Sequence, residues 1–150
     1  MTARNPWLIA GGWLSAAASL LHLACIAGGP DWYRFFGAGE EMARAAARGD
    51  AYPAVVTLGI AAILAIWALY AFAGAGLIRR LPLMRTALVI ISAIYLLRGL
   101  VVVPLIFLMG NEPIGGFALW SSLIVLVYGI AYAVGTWKAW PQLSAKRSHG

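Results

Sequence analysis

The chain has few of the residues on which metal and redox sites depend. It contains one cysteine, two histidines and five acidic residues among 150. The single cysteine, Cys25, cannot form an intramolecular disulfide. Only one histidine, His22, lies within an apolar stretch, which argues against a haem held between two histidines. His22 and Cys25 would share a helical face, but a structural zinc site needs four ligands and a catalytic one three. We therefore predict no metal site and no cofactor.

The motifs of several soluble enzyme classes are also missing. The sequence has no phosphate-binding loop of the form G-x-x-x-x-G-K, no H-E-x-x-H metal motif and no G-x-S-x-G nucleophile elbow. No catalytic residue is predicted for this reason, and an enzyme is the less favoured class of function.

Long apolar segments dominate the chain. Hydrophobic residues make up 63% of it, and a helix needs roughly 20 apolar residues to cross about 30 Å of hydrocarbon. Because hydrocarbon offers backbone groups no hydrogen-bond partner, such segments are expected to be helices. The sequence predicts an all-α integral membrane four-helix bundle that forms a single domain over residues 1–150. Its predicted spans are Trp7–Gly28, Tyr52–Ile78, Thr86–Met109 and Phe117–Trp137.

The charged residues predict the orientation of these spans. All five acidic residues lie in two alternate connections, at Asp31, Glu40, Glu41, Asp50 and Glu112. The opposite side carries most of the arginine and lysine, which in membrane proteins marks the cytoplasmic side. Both termini are therefore predicted in the cytoplasm, with the protein in the bacterial inner membrane. The net charge of +6 then reflects topology. The expected partners are membrane lipids, and no nucleic-acid partner is predicted.

The longest connection, residues 31–49, has the pattern of one or two short amphipathic helices with a break at Gly37-Ala38-Gly39. We expect it on the outer membrane surface or over the end of the bundle. Two interpretations stay open: a plain interfacial helix, or a functional lid that includes Trp32, Phe35 and Glu40. Glu40 is also correctly spaced for a helical ion pair with Arg44.

One charged residue lies inside a predicted span. Arg98 is about twelve residues, or roughly 18 Å, from either end of span three. An arginine at that depth costs about 2.5–3.5 kcal/mol on insertion scales, so it is expected to face the bundle interior or a wet cavity and to be paired. No carboxylate lies in any span. The expected partner is a carbonyl or hydroxyl, an anionic ligand, or an acid from an outer connection, namely Asp31, Glu40 or Glu112.

Three spans carry polar stripes that could meet in one chamber. Tyr95 shares a face of span three with Arg98, His22 follows a small-residue face of span one, and Tyr128 lies on a hydroxyl-rich face of span four. If the spans converge, these four residues would form a ligand-binding chamber that opens to the outer side. The alternative is that the faces serve helix packing alone, with His22 hydrogen-bonded to a neighbour.

Two segments carry a resemblance. Residues 28–37, Gly-Gly-Pro-Asp-Trp-Tyr-Arg-Phe-Phe-Gly, and residues 95–99, Tyr-Leu-Leu-Arg-Gly, are similar to a pattern in uncharacterised small four-span bacterial inner-membrane proteins. The resemblance implies no activity. In length and span count the chain also resembles the membrane-bound glutathione and eicosanoid enzyme family and the small DoxX-like proteins, but no motif of either can be matched residue by residue.

Three classes of function stay open. The leading hypothesis is a non-enzymatic membrane protein that binds a lipophilic small molecule or an anionic amphiphile, such as a lipid or quinone, with Arg98 as charge anchor and Tyr95 and His22 as polar contacts. A small membrane enzyme would instead use Arg98 to stabilise negative charge and His22 or a tyrosine to move a proton. A structural or accessory subunit would have no ligand. Small-residue faces in span two also allow a homo-oligomer.

Overall fold

The computed structural model of the protein describes residues 4–101, 104, 108 and 116–144. Those residues form helices and no strand, so the predicted all-helical fold is confirmed for this part of the chain. In chain order the helices are α1 (Pro6–Gly28), α2 (Pro30–Phe35), α3 (Glu40–Ala47), α4 (Tyr52–Gly74), α5 (Met84–Leu100) and α6 (Gly116–Ser144).

Three helices, α1, α4 and α6, are long and apolar enough to cross a membrane. The sequence predicts four such spans. The difference arises at α5, which is described over 17 residues, fewer than the roughly 20 that a span requires. Most of the predicted continuation to Met109 lies outside the described residues.

The start of α1 is determined by one side chain. Asn5 Oδ1 accepts hydrogen bonds from the backbone N–H groups of Trp7 and Leu8 at 3.2 and 3.3 Å, and Pro6 occupies the first position, where an N–H has no helical partner. Asn5 Nδ2 also donates to the Gly135 carbonyl of α6 at 2.7 Å. The same residue therefore caps α1 and holds its start against α6.

The predicted end of span two at Ile78 is too late, because α4 ends at Gly74. Gly76 has a φ of 77°, and the Leu77 N–H donates to the Phe72 carbonyl at 2.9 Å. This glycine-terminated closure of the last turn is a Schellman motif. Hydropathy misses it because the apolar run continues beyond the glycine.

The predicted end of span four at Trp137 is too early, because α6 continues through Pro141. Proline has no N–H to donate to the preceding turn. In a helix that N–H would bind the Trp137 carbonyl. In the last turn of α6, where carbonyls have no helical partner, Arg80 Nη2 donates to the carbonyls of Gln142 and Leu143 at 3.1 and 3.0 Å. A cation at this position also interacts favourably with the helix dipole.

The four long helices pack in antiparallel pairs. α1 lies mainly against α4 and α5 mainly against α6, while α1 and α6 join the pairs. The end at which α1 begins and α6 finishes is called the terminal end, and the opposite end, which carries α2 and α3, is called the α2–α3 end. Glycines allow the helices to approach closely. A Cβ built on Gly135 would lie 2.7 Å from Leu8 Cγ, and one built on Gly99 would lie 2.7 Å from the Leu126 backbone nitrogen.

The connection between α1 and α4 contains two helices separated at residues 36–39, in agreement with the predicted break. Gly37 and Gly39 both have positive φ, at 68° and 98°. Gly37 lies directly against the ring of Phe117, since a Cβ there would be 2.3 Å from Phe117 Cδ1. The connection therefore extends from the end of α1 to the start of α6.

The contact between α5 and α6 should not tolerate a methyl group at Gly99. Gly99→Ala would place a Cβ against the backbone of Leu126, which cannot rotate away, so we expect a loss of about 1–3 kcal/mol in unfolding free energy. Gly59→Ala in α4 is the matched control, because the space around Gly59 is open, and there we expect a gain of up to about 1 kcal/mol from helix propensity. Circular dichroism melts in detergent measure both. Equal melting temperatures for the two variants would contradict the close approach.

Candidate functional site

A chain of hydroxyl groups connects all four long helices. Ser15 Oγ of α1 lies 2.8 Å from the hydroxyl of Tyr95 in α5 and 2.8 Å from that of Tyr132 in α6. The Tyr132 hydroxyl in turn donates to the backbone carbonyl of Trp67 in α4 at 3.0 Å. Ser15, Tyr95 and Tyr132 are all buried. One serine thus holds together helices that are distant in sequence.

The directions of these hydrogen bonds follow from the number of hydrogens. A carbonyl only accepts, so the single hydrogen of the Tyr132 hydroxyl goes to Trp67. Ser15 must then donate to Tyr132, which uses the only hydrogen of the serine. Tyr95 must therefore donate to Ser15. The chain runs from Tyr95 through Ser15 and Tyr132 to Trp67, and the Tyr95 oxygen keeps capacity to accept a hydrogen bond.

The Tyr95 ring is the centre of an aromatic cluster. Its centroid lies 4.9 Å from the Trp67 ring, 5.3 Å from the Tyr132 ring and 5.5 Å from the Tyr128 ring. The pairs with Trp67 and Tyr128 are edge-on, a geometry worth about 0.5–1.5 kcal/mol beyond area burial. The structure therefore brings Tyr95 and Tyr128 together, as the chamber hypothesis required.

Arg98 lies in the last turn of α5 and reaches α6. Its Nη1 donates to Ser122 Oγ at 3.1 Å and its Nη2 to Ser121 Oγ at 3.4 Å. Ser122 is buried, whereas Arg98 itself is exposed. The close approach at neighbouring Gly99 brings α6 within reach of the guanidinium. The hydroxyl partners expected for Arg98 are thus present, but among the described residues its contacts lie on α6 and not in the central hydroxyl chain.

Two of the three carboxylates predicted to pair with Arg98 bind another arginine. Arg34 Nη1 lies 3.0 Å from Asp31 Oδ1, and Arg34 Nε lies 3.0 Å from Glu40 Oε2. They bind Arg34 because the turn at residues 36–39 folds α3 back towards α2. The third candidate, Glu112, lies outside the described residues.

His22 is bonded within its own helix. Its Nδ1 lies 2.7 Å from the Ala18 carbonyl. Because a carbonyl only accepts, Nδ1 carries a proton, and Nε2 is the acceptor when the ring is neutral. Within the described ranges no hydrogen bond joins His22 to Tyr95, Tyr128 or Arg98. The packing interpretation of His22 includes a hydrogen bond to a neighbouring residue. The bond to the Ala18 carbonyl, one turn earlier in α1, is a bond of this kind.

The predicted lid presents different side chains from those expected. Phe35 is 76% exposed and Trp32 is 41% exposed, whereas Tyr33 between them is 3% exposed. A Cβ on Gly28 would meet the Trp32 ring, so the indole lies against the end of α1. Because α2 has only six residues, its orientation depends on the turn at Gly29 more than on hydrophobic spacing. The lid role itself stays a prediction.

The ion pair predicted between Glu40 and Arg44 is present, at 3.3 Å between Glu40 Oε1 and Arg44 Nε. Glu40 also accepts hydrogen bonds from Arg34 Nε and Nη2 at 3.0 and 3.3 Å. The Arg34 guanidinium, with a smaller contribution from Arg44, holds the pKa of the Glu40 carboxyl below its usual value. The pairs are solvent-exposed, and exposed pairs contribute little to stability.

Sequence reasoning missed several polar groups. Ser122, the closer partner of Arg98, follows Ser121 by one position and could have been found from its place near the helix start. Tyr132 lies on the stripe of Tyr128 but was not assigned to the chamber. The Trp67 carbonyl has no signal in the sequence, because every residue has one. Within the described ranges, His, Cys, Asp and Glu form no group of three that could hold a metal.

No family model matches the chain, and the searches of curated proteins and of solved structures found no match either.

Removing the Ser15 hydroxyl should loosen the whole bundle. Ser15→Ala leaves the Tyr95 and Tyr132 hydroxyls without their shared partner, and we expect a loss of about 1–2 kcal/mol in unfolding free energy. Ser144→Ala is the control, because that serine is exposed and bonds only within its own helix. Thermal unfolding followed by tryptophan fluorescence measures the difference. A melting temperature of Ser15→Ala equal to that of Ser144→Ala would show that the chain does not stabilise the fold.

The pKa of Glu40 should depend on Arg34. A pKa lowered in the folded state means that the contact stabilises the connection above the ordinary value of about 4.3, and that this stabilisation is lost as the pH falls through the lowered value. Arg34→Gln is expected to raise the pKa towards its ordinary value, whereas Arg48→Gln should leave it unchanged because Arg48 binds Asp50. A carbon-13 NMR titration of the Glu40 carboxyl measures this pKa in both variants. An unchanged pKa in Arg34→Gln would refute the contact.

Proposed function

We propose that the chain is a four-span integral protein of the bacterial inner membrane, with both termini in the cytoplasm, and that it binds an anionic amphiphile through Arg98. The apolar surface of the long helices supports the membrane placement. Trp13 and Leu20 of α1 are each 66% exposed, and Leu97 of α5 is 71% exposed. Soluble monomers rarely carry large contiguous apolar patches, whereas lipid would cover such side chains.

The charges at the two ends support the orientation. The α2–α3 end carries four carboxylates, at Asp31, Glu40, Glu41 and Asp50, which largely pair with arginines of the same segment. The connection between α4 and α5 carries only positive charge, at Arg79 and Arg80, and the first turn of α5 adds Arg85. Positive charge favours the cytoplasmic side. In this placement α5 is part of the fourth span, whose predicted continuation to Met109 lies mostly outside the described residues.

The contacts of Arg98 carry the ligand proposal. Its Cα lies about 21 Å along α5 from Met84, a depth at which an unneutralised guanidinium is costly in hydrocarbon. Ser121 and Ser122 orient the guanidinium through neutral hydroxyls, and among the described residues no carboxylate pairs with it. A phosphate or carboxylate head would supply the negative charge, and the planar donor fork of arginine suits two-point binding of such groups. An amphiphile would place its apolar part along the neighbouring exposed side chains, such as Leu97.

A specific observation favours a second candidate, a structural or accessory subunit with no ligand. The central hydroxyl chain ends on the Trp67 carbonyl, so every hydroxyl hydrogen in it is used within the protein. That arrangement stabilises the bundle and leaves no hydroxyl hydrogen to donate to a ligand. The enzyme alternative has less support, because within the described residues neither His22 nor Tyr95 forms a hydrogen bond with Arg98.

Native mass spectrometry of the mildly extracted protein tests the proposal. We expect a stoichiometric small-molecule adduct on the wild type that is lost in Arg98→Gln and weakened in Arg98→Lys, since lysine keeps the charge but lacks the donor fork. Arg48→Gln is the control, because it removes an exposed arginine that binds Asp50. The same spectra give the number of subunits.

The variant Glu112→Gln distinguishes two anions that could neutralise Arg98, namely a bound ligand and the Glu112 carboxylate. Retention of the adduct in Glu112→Gln is expected if the ligand is the counter-ion. An adduct that persists in Arg98→Gln, or bare protein in both the wild type and Arg98→Gln, would overturn the proposal and favour the structural subunit.

A further inference from the structure

Two cavities of different chemistry lie one after the other along the seam between α5 and α6, and a contact between Arg85 and Trp140 joins them. Together they are called the groove, with a polar and an apolar part. The part at the terminal end has a volume of about 670 Å³ and is lined by Arg80, Arg85, Thr86 and Leu143 among others. It lies at the start of α5, where among the described residues no side chain caps the first turn. Two guanidinium groups and a hydroxyl therefore line the same space, beside the positive end of α5. Arg80 Nη2 is bound to the Gln142 and Leu143 carbonyls, so Arg80 offers its Nε and Nη1 and Arg85 offers its guanidinium, a donor set that favours an anionic group.

The second part of the groove is apolar. It has a volume of about 560 Å³, and its lining includes Val89, Ala93 and Leu96 of α5 and Trp137 of α6. On α5 these residues follow Arg85 at helical spacing, so they continue along the face on which the first part begins. The polar part of the groove therefore leads into the apolar part along one helix face.

A contact between an arginine and a tryptophan connects the two parts. The Arg85 guanidinium lies 4.2 Å from the centroid of the Trp140 ring. Arg85 lines the polar part and Trp140 lines the apolar part. The contact holds the arginine at the boundary between the two parts, and among the described residues no hydrogen bond occupies its N–H groups.

The apolar part contains one buried polar atom with an unmet hydrogen bond. Thr136 lines this part of the groove and is 5% exposed, and within the described residues its hydroxyl has no hydrogen-bond partner. Oγ1 itself is buried beneath this surface and reaches the groove by rotation about the Cα–Cβ bond. Such a group is costly to bury unsatisfied. Its hydroxyl can donate to a carbonyl oxygen of a ligand that enters from the polar end.

We propose that this seam binds one anionic phospholipid, with the phosphodiester at Arg85 and Arg80, an ester carbonyl near Thr136 and an acyl chain along Val89, Ala93 and Leu96. The inference rests on the proposed membrane placement and is independent of ligand binding at Arg98. From Arg85 to Leu96 the groove follows α5 for about 16 Å, close to the thickness of one leaflet, about half of 30 Å. The positive end of the groove lies on the side assigned to the cytoplasm, where anionic lipid is attracted to basic residues.

Lipid titrations followed by native mass spectrometry test the site. Delipidated protein in detergent is titrated with phosphatidylglycerol, with phosphatidylcholine of the same acyl chains, and with glycerol phosphate, which has the head but no tail. We expect one tightly bound phosphatidylglycerol, weaker phosphatidylcholine and no retained glycerol phosphate. Arg85→Gln should weaken phosphatidylglycerol about fivefold, the factor expected for one arginine at a lipid surface.

Two matched pairs of variants make the test specific. Arg79→Gln removes a positive charge from the connection between α4 and α5, at a position that does not line the groove. This variant should still bind phosphatidylglycerol more tightly than phosphatidylcholine. Ala93→Phe fills the apolar part from an exposed position and should weaken both lipids, whereas Ala62→Phe on the exposed face of α4 should weaken neither. Because both alanines are exposed, neither change disturbs the core. If phosphatidylglycerol also fills the Arg98 site, Arg98→Gln removes that second lipid but leaves the effect of Arg85→Gln unchanged, which separates the two sites.

Three results would overturn the inference. Equal losses in Arg85→Gln and Arg79→Gln would show general attraction to basic residues and no built site. Retention of glycerol phosphate as strongly as phosphatidylglycerol would show a phosphate site that does not need the apolar part. A protein that binds neither lipid and stays monodisperse without detergent would overturn the membrane placement itself.

Discussion

Three hydroxyl groups and one backbone carbonyl constrain the positions of all four long helices. Because Tyr95, Ser15 and Tyr132 each donate one hydrogen in sequence towards Trp67, displacing any one helix breaks at least one buried hydrogen bond. In the proposed membrane placement, apolar packing against lipid and against protein differ little, so helix association depends on close packing and on such hydrogen bonds. The central chain therefore accounts for why α1 and α4 stay with α5 and α6, although the two pairs share fewer contacts with each other.

The glycines determine how closely the helices approach, and through this they also place the charged group. The absence of a side chain at Gly99 brings the backbone of α6 against α5, and the adjacent Arg98 can then reach Ser122. A wider separation would leave the guanidinium without those hydroxyls. The absence of a side chain at Gly99 thus stabilises the pair of helices and also orients Arg98, the group proposed to bind the ligand.

Hydropathy predicts the type and approximate position of the helices, because apolar runs of this length have few alternatives. It misplaces ends that are decided by single hydrogen-bonding events, such as the turn at Gly76 or the capping of α6 by Arg80. Helical spacing places Tyr95 and Tyr128 on polar faces of their helices, but it does not predict that these two faces meet, which the structure shows. It does not predict the burial of Tyr33 in place of Phe35, because a small rotation of a six-residue helix exchanges its buried and exposed positions. The sequence gives no signal for a backbone acceptor such as the Trp67 carbonyl, because every residue has a carbonyl.

The surroundings of Arg98 and Arg85 separate two roles for the same side chain. Arg98 lies deep along α5 beside two neutral hydroxyls, so in hydrocarbon its charge must be met by a specific anion, and few partners can reach that depth. Arg85 lies at the start of the same helix, stacked on Trp140 and open to a wide groove, so water and lipid heads share its solvation. Loss of the partner should therefore be costly at Arg98 and mild at Arg85. Under the two proposals, depth along one helix, and not residue type, distinguishes the arginine that anchors a ligand from the arginine that binds a lipid head at the membrane surface.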